Sequence, residues 1–173
     1  MKTLPSSFFN RPTVDVARDL IGCYLVRRRG KKIDRLMIKE TEAYDGLLDK
    51  ASHAHRGRTK RNEVMFRRYG HIYVYFTYGM HWMLNIVTGQ KDYPAAVLIR
   101  GVEGLNGPAR LTKALGITDE MNGKLLSKKS GLWVEKPPKK PAEMKIEKRA
   151  RVGVGYSGPV WSKKKYRFGL APK

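Results

Sequence analysis

The chain is poor in the residues that build disulfide frameworks and metal centres. Cys23 is its only cysteine and it has four histidines, so neither a disulfide network nor a cysteine-rich zinc site can be assembled. It has no run of about 18 apolar residues, which excludes a membrane-spanning helix. The opening stretch, Met1 to Arg11, carries a lone Lys2 and no long apolar segment behind it, so no signal peptide is read and an intracellular, cytoplasmic location is expected. No phosphate-cradling glycine loop is present: the string RVGVGYSG contains Gly153 and Gly155 but lacks dinucleotide-binding spacing and a P-loop lysine, and reads as close backbone packing. No nucleophile elbow, internal repeat or low-complexity tract appears.

Acidic residues are also scarce. Fifteen Asp and Glu face 36 Lys and Arg, a formal net charge of +21. Self-repulsion at that charge disfavours a compact domain, and such an excess ordinarily serves a polyanion, with salt-dependent binding. An anionic membrane surface or a solubility device are the bland alternatives, but no basic amphipathic helix stands out. Charge alone does not separate DNA from RNA, or an enzyme from a passive binder. What is present is globular: 173 residues, 41% hydrophobic and 10% aromatic, suit one domain spanning 1–173 with a real core.

The pattern predicts a short helix over Thr13 to Leu20, capped by Thr13 and stopped by Gly22. Strands follow at Cys23 to Arg28 and Leu36 to Ala43, joined by a turn at Arg29-Gly30-Lys31. Tyr44 to Lys60 reads as a long polar loop, a type that is often functional, and Arg61 to Arg68 as a short helix. Ile72 to Phe76 and Trp82 to Val87 read as a hairpin whose tip, Thr77-Tyr78-Gly79-Met80, presents a large aromatic and a methionine where polar residues are expected. Ala95 to Arg100 is a further strand, and Pro108 to Gly116 a helix with proline at its start and glycine at its end. Lys136 to Pro141 reads as a surface loop. Lys163 to Lys165, extended by Arg167, is a basic run that fits either phosphate contact or a solvated surface.

Four constellations carry possible chemistry. Glu40, Glu42 and Tyr44 share one face of a strand, because the side-chain period is two. Two carboxylates entering a loop of a basic protein are either a salt-bridged surface pair or a functional one. His53 and His55, two apart, have no cysteine nearby and read as hydrogen-bonding or stacking groups rather than metal ligands. Tyr73, Tyr75, Tyr78 and Trp82 cluster. Tyr73 and Tyr75 fit an ordinary half-buried strand, whereas Tyr78 at a tip suits a wedge between base steps, with aromatics beside it to stack on an extruded base. Asn85, on an apolar strand, needs partners and fits either a structural amide or a recognition group.

The strings ETEAYDG, SHAHRGRTKRNEVMF, GHIYVYFTYGMHWMLNIV, AAVLIRGVE, NGPARLTKALGI and RARVGVGYSG, in this order from about Val14 to Phe168, resemble the alkyladenine (3-methyladenine) DNA glycosylases. The resemblance implies an α+β fold: one mixed domain with a curved, mostly antiparallel sheet, short helices around it and a protruding DNA-intercalating β-hairpin. It implies that Glu42 deprotonates the attacking water, which Arg100 and the main chain at Val154 help to hold. Tyr44, His53 and Tyr75 match the walls around the flipped base, and Asn85 the residue opposing the two-amino group of guanine. Tyr78 matches the side chain that fills the gap in the duplex, with Met80, His81, Arg110 and Lys113 as further DNA contacts. The implied partner is double-stranded DNA containing damaged purines; no metal, cofactor or membrane is implied, and a monomer is expected. His81 stands where a tyrosine is commoner, the loop Asp45 to Lys50 is this sequence's own, and Lys136 to Ile146 matches poorly. With no long basic N-terminal arm, the chain looks like a bacterial-type catalytic core acting at the nucleoid.

The chemistry agrees with that picture. The anomeric carbon is blocked inside a stacked duplex, so the nucleotide must be extruded at a cost of roughly a few kcal/mol, least for a damaged base. One carboxylate suffices for a base that leaves readily, and a cationic purine gains about 0.5–2 kcal/mol on an electron-rich aromatic. A noncatalytic nucleic-acid-binding domain would explain the charge but not the carboxylate beside an aromatic pocket. A hydrolase of free nucleosides is opposed by the basic excess and the exposed tip.

Overall fold

The computed structural model describes residues 1–138 and 144–171. Among them are ten strands: β1 (Lys2–Thr3), β2 (Tyr24–Arg29), β3 (Lys32–Asp45), β4 (Ile72–Thr77), β5 (His81–Val87), β6 (Ala95–Val102), β7 (Leu105–Asn106), β8 (Leu132–Lys136), β9 (Ile146–Arg149) and β10 (Arg167–Leu170). Three short helices accompany them: α1 (Thr13–Asp19), α2 (Pro108–Leu115) and α3 (Gly158–Lys163). The strands form an open sheet in the order β1-β8-β2-β3-β6-β5-β4, with β7 beside β6, and β10 bridging β3 and β9. Every pairing is antiparallel. The fold is α+β, as the resemblance implied.

Strand β3 is the spine. Its first half, Lys32 to Met37, pairs with β2, and its second half, Ile38 to Asp45, pairs with β6. Where β2 ends, β10 takes over the same edge, setting Arg167 opposite Glu42 and Gly169 opposite Glu40. Register shifts flank Glu40 in the ladder with β6, a bulge of the kind that re-aims side chains near a site. The strand runs longer than its hydrophobic stretch predicts because both of its edges are paired, which stabilises polar residues in extended backbone whatever their propensity.

The core lies between this sheet and α1. Val16, Ala17 and Leu20 of that segment pack with Ile38, Ala43, Val97 and Ile99, all fully buried. Leu111 and Leu115 of α2 join the same cluster, and Gly116 ends α2 in the left-handed region at φ 57°, where only glycine is at ease. A smaller cluster of Val64, Met65, Phe66, Tyr73 and Val87 sits under the loop that follows β3.

Several local expectations are corrected. Thr13 does not cap α1; Pro12 holds that position, and the Thr13 hydroxyl instead bonds Asp45 Oδ1 at 2.9 Å and Thr88 Oγ1 at 3.0 Å. The helix expected over Arg61 to Arg68 is a single 3-10 turn, Glu63–Phe66: its apolar residues Val64, Met65 and Phe66 are consecutive and buried, and Arg61, Arg67 and Arg68 around them are exposed. The basic run begins at the end of α3, and Arg167 opens β10, which like β9 is four residues long and has too few apolar residues in sequence to announce itself. Of the expected loop Lys136 to Pro141, Lys136 closes β8 and residues 139–141 lie outside the described residues.

Candidate active site

A cavity of about 380 Å3 opens beside the β4–β5 hairpin, within the range of about 300–1,000 Å3 usual for small-molecule sites. Glu42 from β3, Arg100 from β6, Tyr75 from β4 and Asn85 from β5 line it, together with Tyr44, His53, Val154, Tyr78 and His81. Glu42, Asn85 and Arg100 meet here because β3, β6 and β5 are neighbours in the sheet, and Val152 to Tyr156 join them from a segment more than 100 positions beyond Glu42.

Glu42 is fully buried and both of its oxygens are held. Oε1 accepts the backbone N–H of Val152 at 2.9 Å, and Oε2 accepts the Tyr44 hydroxyl at 2.8 Å. The guanidinium Nε of Arg100 lies 3.6 Å from Oε1. Burial nevertheless raises the carboxyl above its ordinary value, against the pull of Arg100 and the two hydrogen bonds. The same burial, with Glu42 adjacent, pushes the Tyr44 phenol well up, so it stays protonated and donating.

The walls are aromatic. Tyr75 is pushed up to about 12 by burial and by Glu42. His53 packs edge-on to Tyr75 with ring centroids 4.5 Å apart, and its Nδ1 meets the buried Tyr73 hydroxyl at 3.2 Å. One side of His53 is open, but the surrounding protein dominates: burial first and Arg61 second lower its pKa, so the imidazole is neutral at neutral pH. Asn62, itself buried, folds the loop that carries His53, donating to the carbonyls of His53 and Gly57 at 2.9 Å each. Asn85 is buried, and its amide donates to the Tyr73 and Met83 carbonyls at 3.3 and 3.4 Å.

The hairpin tip turns through Tyr78 and Gly79, at φ 52° and 65°, closed by Met80 N–H to the Thr77 carbonyl at 3.2 Å. Two successive positive φ angles make this a primed turn, matched to strand twist. Tyr78, unlike glycine, is strained there. Tyr78 and Met80 are 79% and 66% exposed, large apolar surfaces that nothing in the fold covers.

Met80 lies on the tip outside the cavity lining, and Arg110 and Lys113 are exposed on α2, whose first residues Pro108 and Ala109 line the cavity. Val154 also lines it, but its carbonyl already accepts the Ser157 N–H at 3.0 Å and the Ser157 hydroxyl at 2.6 Å. The main chain that reaches Glu42 belongs to Val152.

Three participants escaped sequence reasoning. Arg151 and Asp49 form an ion pair with fully buried side chains. Arg151 also donates to the Ala43 carbonyl at 2.8 Å and lies 4.9 Å from the Tyr44 ring centroid. Asp49 in turn accepts the Ala51 N–H at 3.0 Å. The pair thereby ties the loop after β3 to the segment carrying Val152. The arginine heading the RVGVG string was a visible signal; Asp49, in an unmatched loop, gave none. Tyr156, exposed at the cavity rim, donates its hydroxyl to the Ala51 carbonyl at 2.9 Å. Among the described residues no group of three or more His, Cys, Asp or Glu converges as metal ligands would, and no helix is long and apolar enough to cross a membrane.

A tethered, buried carboxylate facing an aromatic cavity, next to an exposed aromatic tip and on a chain of charge +21, is the equipment of an enzyme that works on a planar group carried by a polyanion. The chain belongs to the methylpurine-DNA glycosylase family, whose model matches residues 7–106 and 103–173. Relatives named "Putative 3-methyladenine DNA glycosylase" include a Methanocella arvoryzae protein, 43% identical with 91% of this chain and 88% of the relative covered. A Carboxydothermus hydrogenoformans protein is 42% identical over 87% and 88%, and one from Legionella pneumophila is 38% identical over 97% and 94%.

Proposed function

We propose that the protein extrudes an alkylated or deaminated purine, of the 3-methyladenine, hypoxanthine or ethenoadenine class, from duplex DNA and hydrolyses its N-glycosidic bond. The carrying observation is Glu42: a carboxylate with no solvent exposure, both oxygens tethered, at the wall of an aromatic cavity. A buried carboxyl raised above its ordinary value is a better base than a surface one. It takes a proton from water as the water oxygen bonds to the anomeric carbon. The carbon–nitrogen bond breaks with its electron pair leaving on the base, and an abasic site remains.

Arg100 carries the compensating charge beside Glu42 and, with the main chain at Val152 and Val154, borders the place for that water. Tyr44, His53 and Tyr75 supply faces for the purine, and Asn85 a buried amide against its edge. Tyr78 occupies the duplex gap while Met80 and His81 follow the groove, and Arg110 and Lys113 offer phosphate contacts. In this reading the acting unit is a single copy of the chain at the nucleoid, working without metal or cofactor.

The test is base release from a duplex with one hypoxanthine, and from alkylated DNA containing 3-methyladenine, by wild type and Glu42→Gln. Release by wild type, lost in the variant while DNA binding persists, is expected. No release from either substrate, with binding intact, would replace the enzyme by a noncatalytic nucleic-acid-binding domain.

A further inference from the structure

The Glu42–Arg100 pair has a second carboxylate beside it. Glu40 Oε1 lies 3.4 Å from Arg100 Nε, slightly closer than Glu42 Oε1 at 3.6 Å, and 3.4 Å from a terminal nitrogen of Arg167. The cluster holds two carboxylates and two guanidiniums and is neutral as a whole. Neither the Arg100 Nε nor the Arg167 Nε has a hydrogen-bond partner among the described residues, although both atoms are buried. The Arg100 guanidinium is placed by opposed attractions to Glu40 and Glu42 rather than by a hydrogen bond to either carboxylate.

The backbone makes room for this. Both cross-strand neighbours of Glu40 are glycines, Gly101 on β6 and Gly169 on β10. A Cβ at Gly101 would stand 3.3 Å from the Glu40 Cβ, and one at Gly169 would stand 3.9 Å from its Cγ. The bulge around Glu40 brings its carboxylate to the same guanidinium edge that Glu42 meets.

We propose that Glu40 is a positioning residue: with Arg167 it holds Arg100 evenly between two carboxylates, so that Arg100 does not close onto Glu42 and cover the oxygen that must receive the proton. This rests on the reading of Glu42 as the base. Without Glu40, Arg100 has one carboxylate left to approach, and a close pair there makes the carboxylate a weaker base and hinders water. Glu40 also acts directly, since its negative charge favours the protonated form of Glu42.

The other charges nearby are spoken for. Arg151 is paired with Asp49, Arg149 across from Arg167 with Glu147, and Asp15, Arg18 and Asp19 of α1 with one another and with Arg11. The Tyr44 hydroxyl remains protonated on Glu42.

The experiment compares wild type, Glu40→Gln, Glu40→Asp and Arg167→Met. Single-turnover base release is followed against pH, duplex affinity and thermal stability are measured on the same samples, and the carboxyl carbons are titrated by NMR in 13C-glutamate-labelled protein. Glu40→Gln is expected to slow the plateau rate by about ten- to a hundredfold, the scale of a misplaced catalytic group. It should also move the acid limb and the Glu42 carboxyl titration to lower pH, with duplex affinity kept. Arg167→Met, which leaves Glu40 free to draw Arg100 away, should move both to higher pH, and Glu40→Asp should restore the wild-type limb. An acid limb and carboxyl titration unmoved in Glu40→Gln, with rate loss that tracks thermal stability, overturns the proposal. If wild type releases no base, the enzyme reading fails by itself, and the carboxyl titrations still decide whether Glu40 sets Glu42 as argued.

Discussion

Replacing Glu42 by glutamine is expected to make the protein more stable at neutral pH. The carboxylate pays for its burial with two hydrogen bonds, from Val152 N–H and the Tyr44 hydroxyl, each about 1.5–3 kcal/mol to a charged acceptor. Arg100 at 3.6 Å adds attraction. Against these stands the desolvation of an ion, several kcal/mol. The raised carboxyl value shows that desolvation wins. Native protein therefore binds the Glu42 proton more tightly than unfolded chain does. The resulting stability is fully present below the unfolded carboxyl range, near about 4.3, and is lost as pH rises through the native value. Glutamine never ionises, and its amide fits the same partners, the oxygen accepting Val152 N–H and the NH2 donating to the Tyr44 oxygen. The expected gain at pH 7 is on the order of 1 kcal/mol, about 2–4 °C in Tm for a chain of this size. Calorimetry at pH 7 and near pH 4 measures it: the gain should be present at the first and vanish at the second. A variant less stable than wild type at pH 7, with a deficit that shrinks toward pH 4, would show that the Glu42 carboxylate stabilises the fold and refute the reasoning.

Two further outcomes test the frame around the site. Asp49→Asn leaves Arg151 buried and unpaired and should cost about 3–5 kcal/mol, read as a lower urea midpoint, whereas replacing both partners by apolar residues should recover most of it; a single variant as stable as wild type would contradict the role of the pair. Tyr78→Ala removes a side chain that is 79% exposed and held at a strained φ, so thermal stability should stay within about 0.5 kcal/mol while release of hypoxanthine from duplex falls. Equal release by variant and wild type would remove the wedge from the mechanism.

Much of the hairpin and the cavity was legible in sequence. Alternation over Ile72 to Phe76 and Trp82 to Val87 brought β4 and β5 out within a residue at each end. The period of two put Glu40, Glu42 and Tyr44 on one side of β3, and Glu40 and Glu42 do meet the same guanidinium. What was not legible shares a cause. The β3–β10 edge, the Asp49–Arg151 pair and the Val152 N–H on Glu42 are contacts between segments more than 100 residues apart, and neither propensity nor periodicity carries information on such pairings. The 3-10 turn at Glu63–Phe66 failed for a different reason: its apolar residues are consecutive, a pattern that fits one tight turn as well as a helix.

The structure also changes one argument about the cavity walls. Electron-rich tyrosines favour a cationic purine by cation–π attraction, and on sequence alone that gave Tyr44 and Tyr75 a chemical reason beyond shape. In the folded protein each ring already has an arginine at its π system: Arg151 at 4.9 Å from the Tyr44 centroid and Arg61 at 5.4 Å from that of Tyr75. Asp49 neutralises Arg151, but Arg61 is exposed and adds positive charge near the cavity, enough to help lower the His53 pKa. The two effects oppose each other for a cationic base and leave stacking unaffected for a neutral one. If the proposed function holds, the walls therefore select for a flat, purine-sized group more than for its charge. Under the proposed function, discrimination between alkylated and deaminated purines then falls to how readily each base leaves once water is activated.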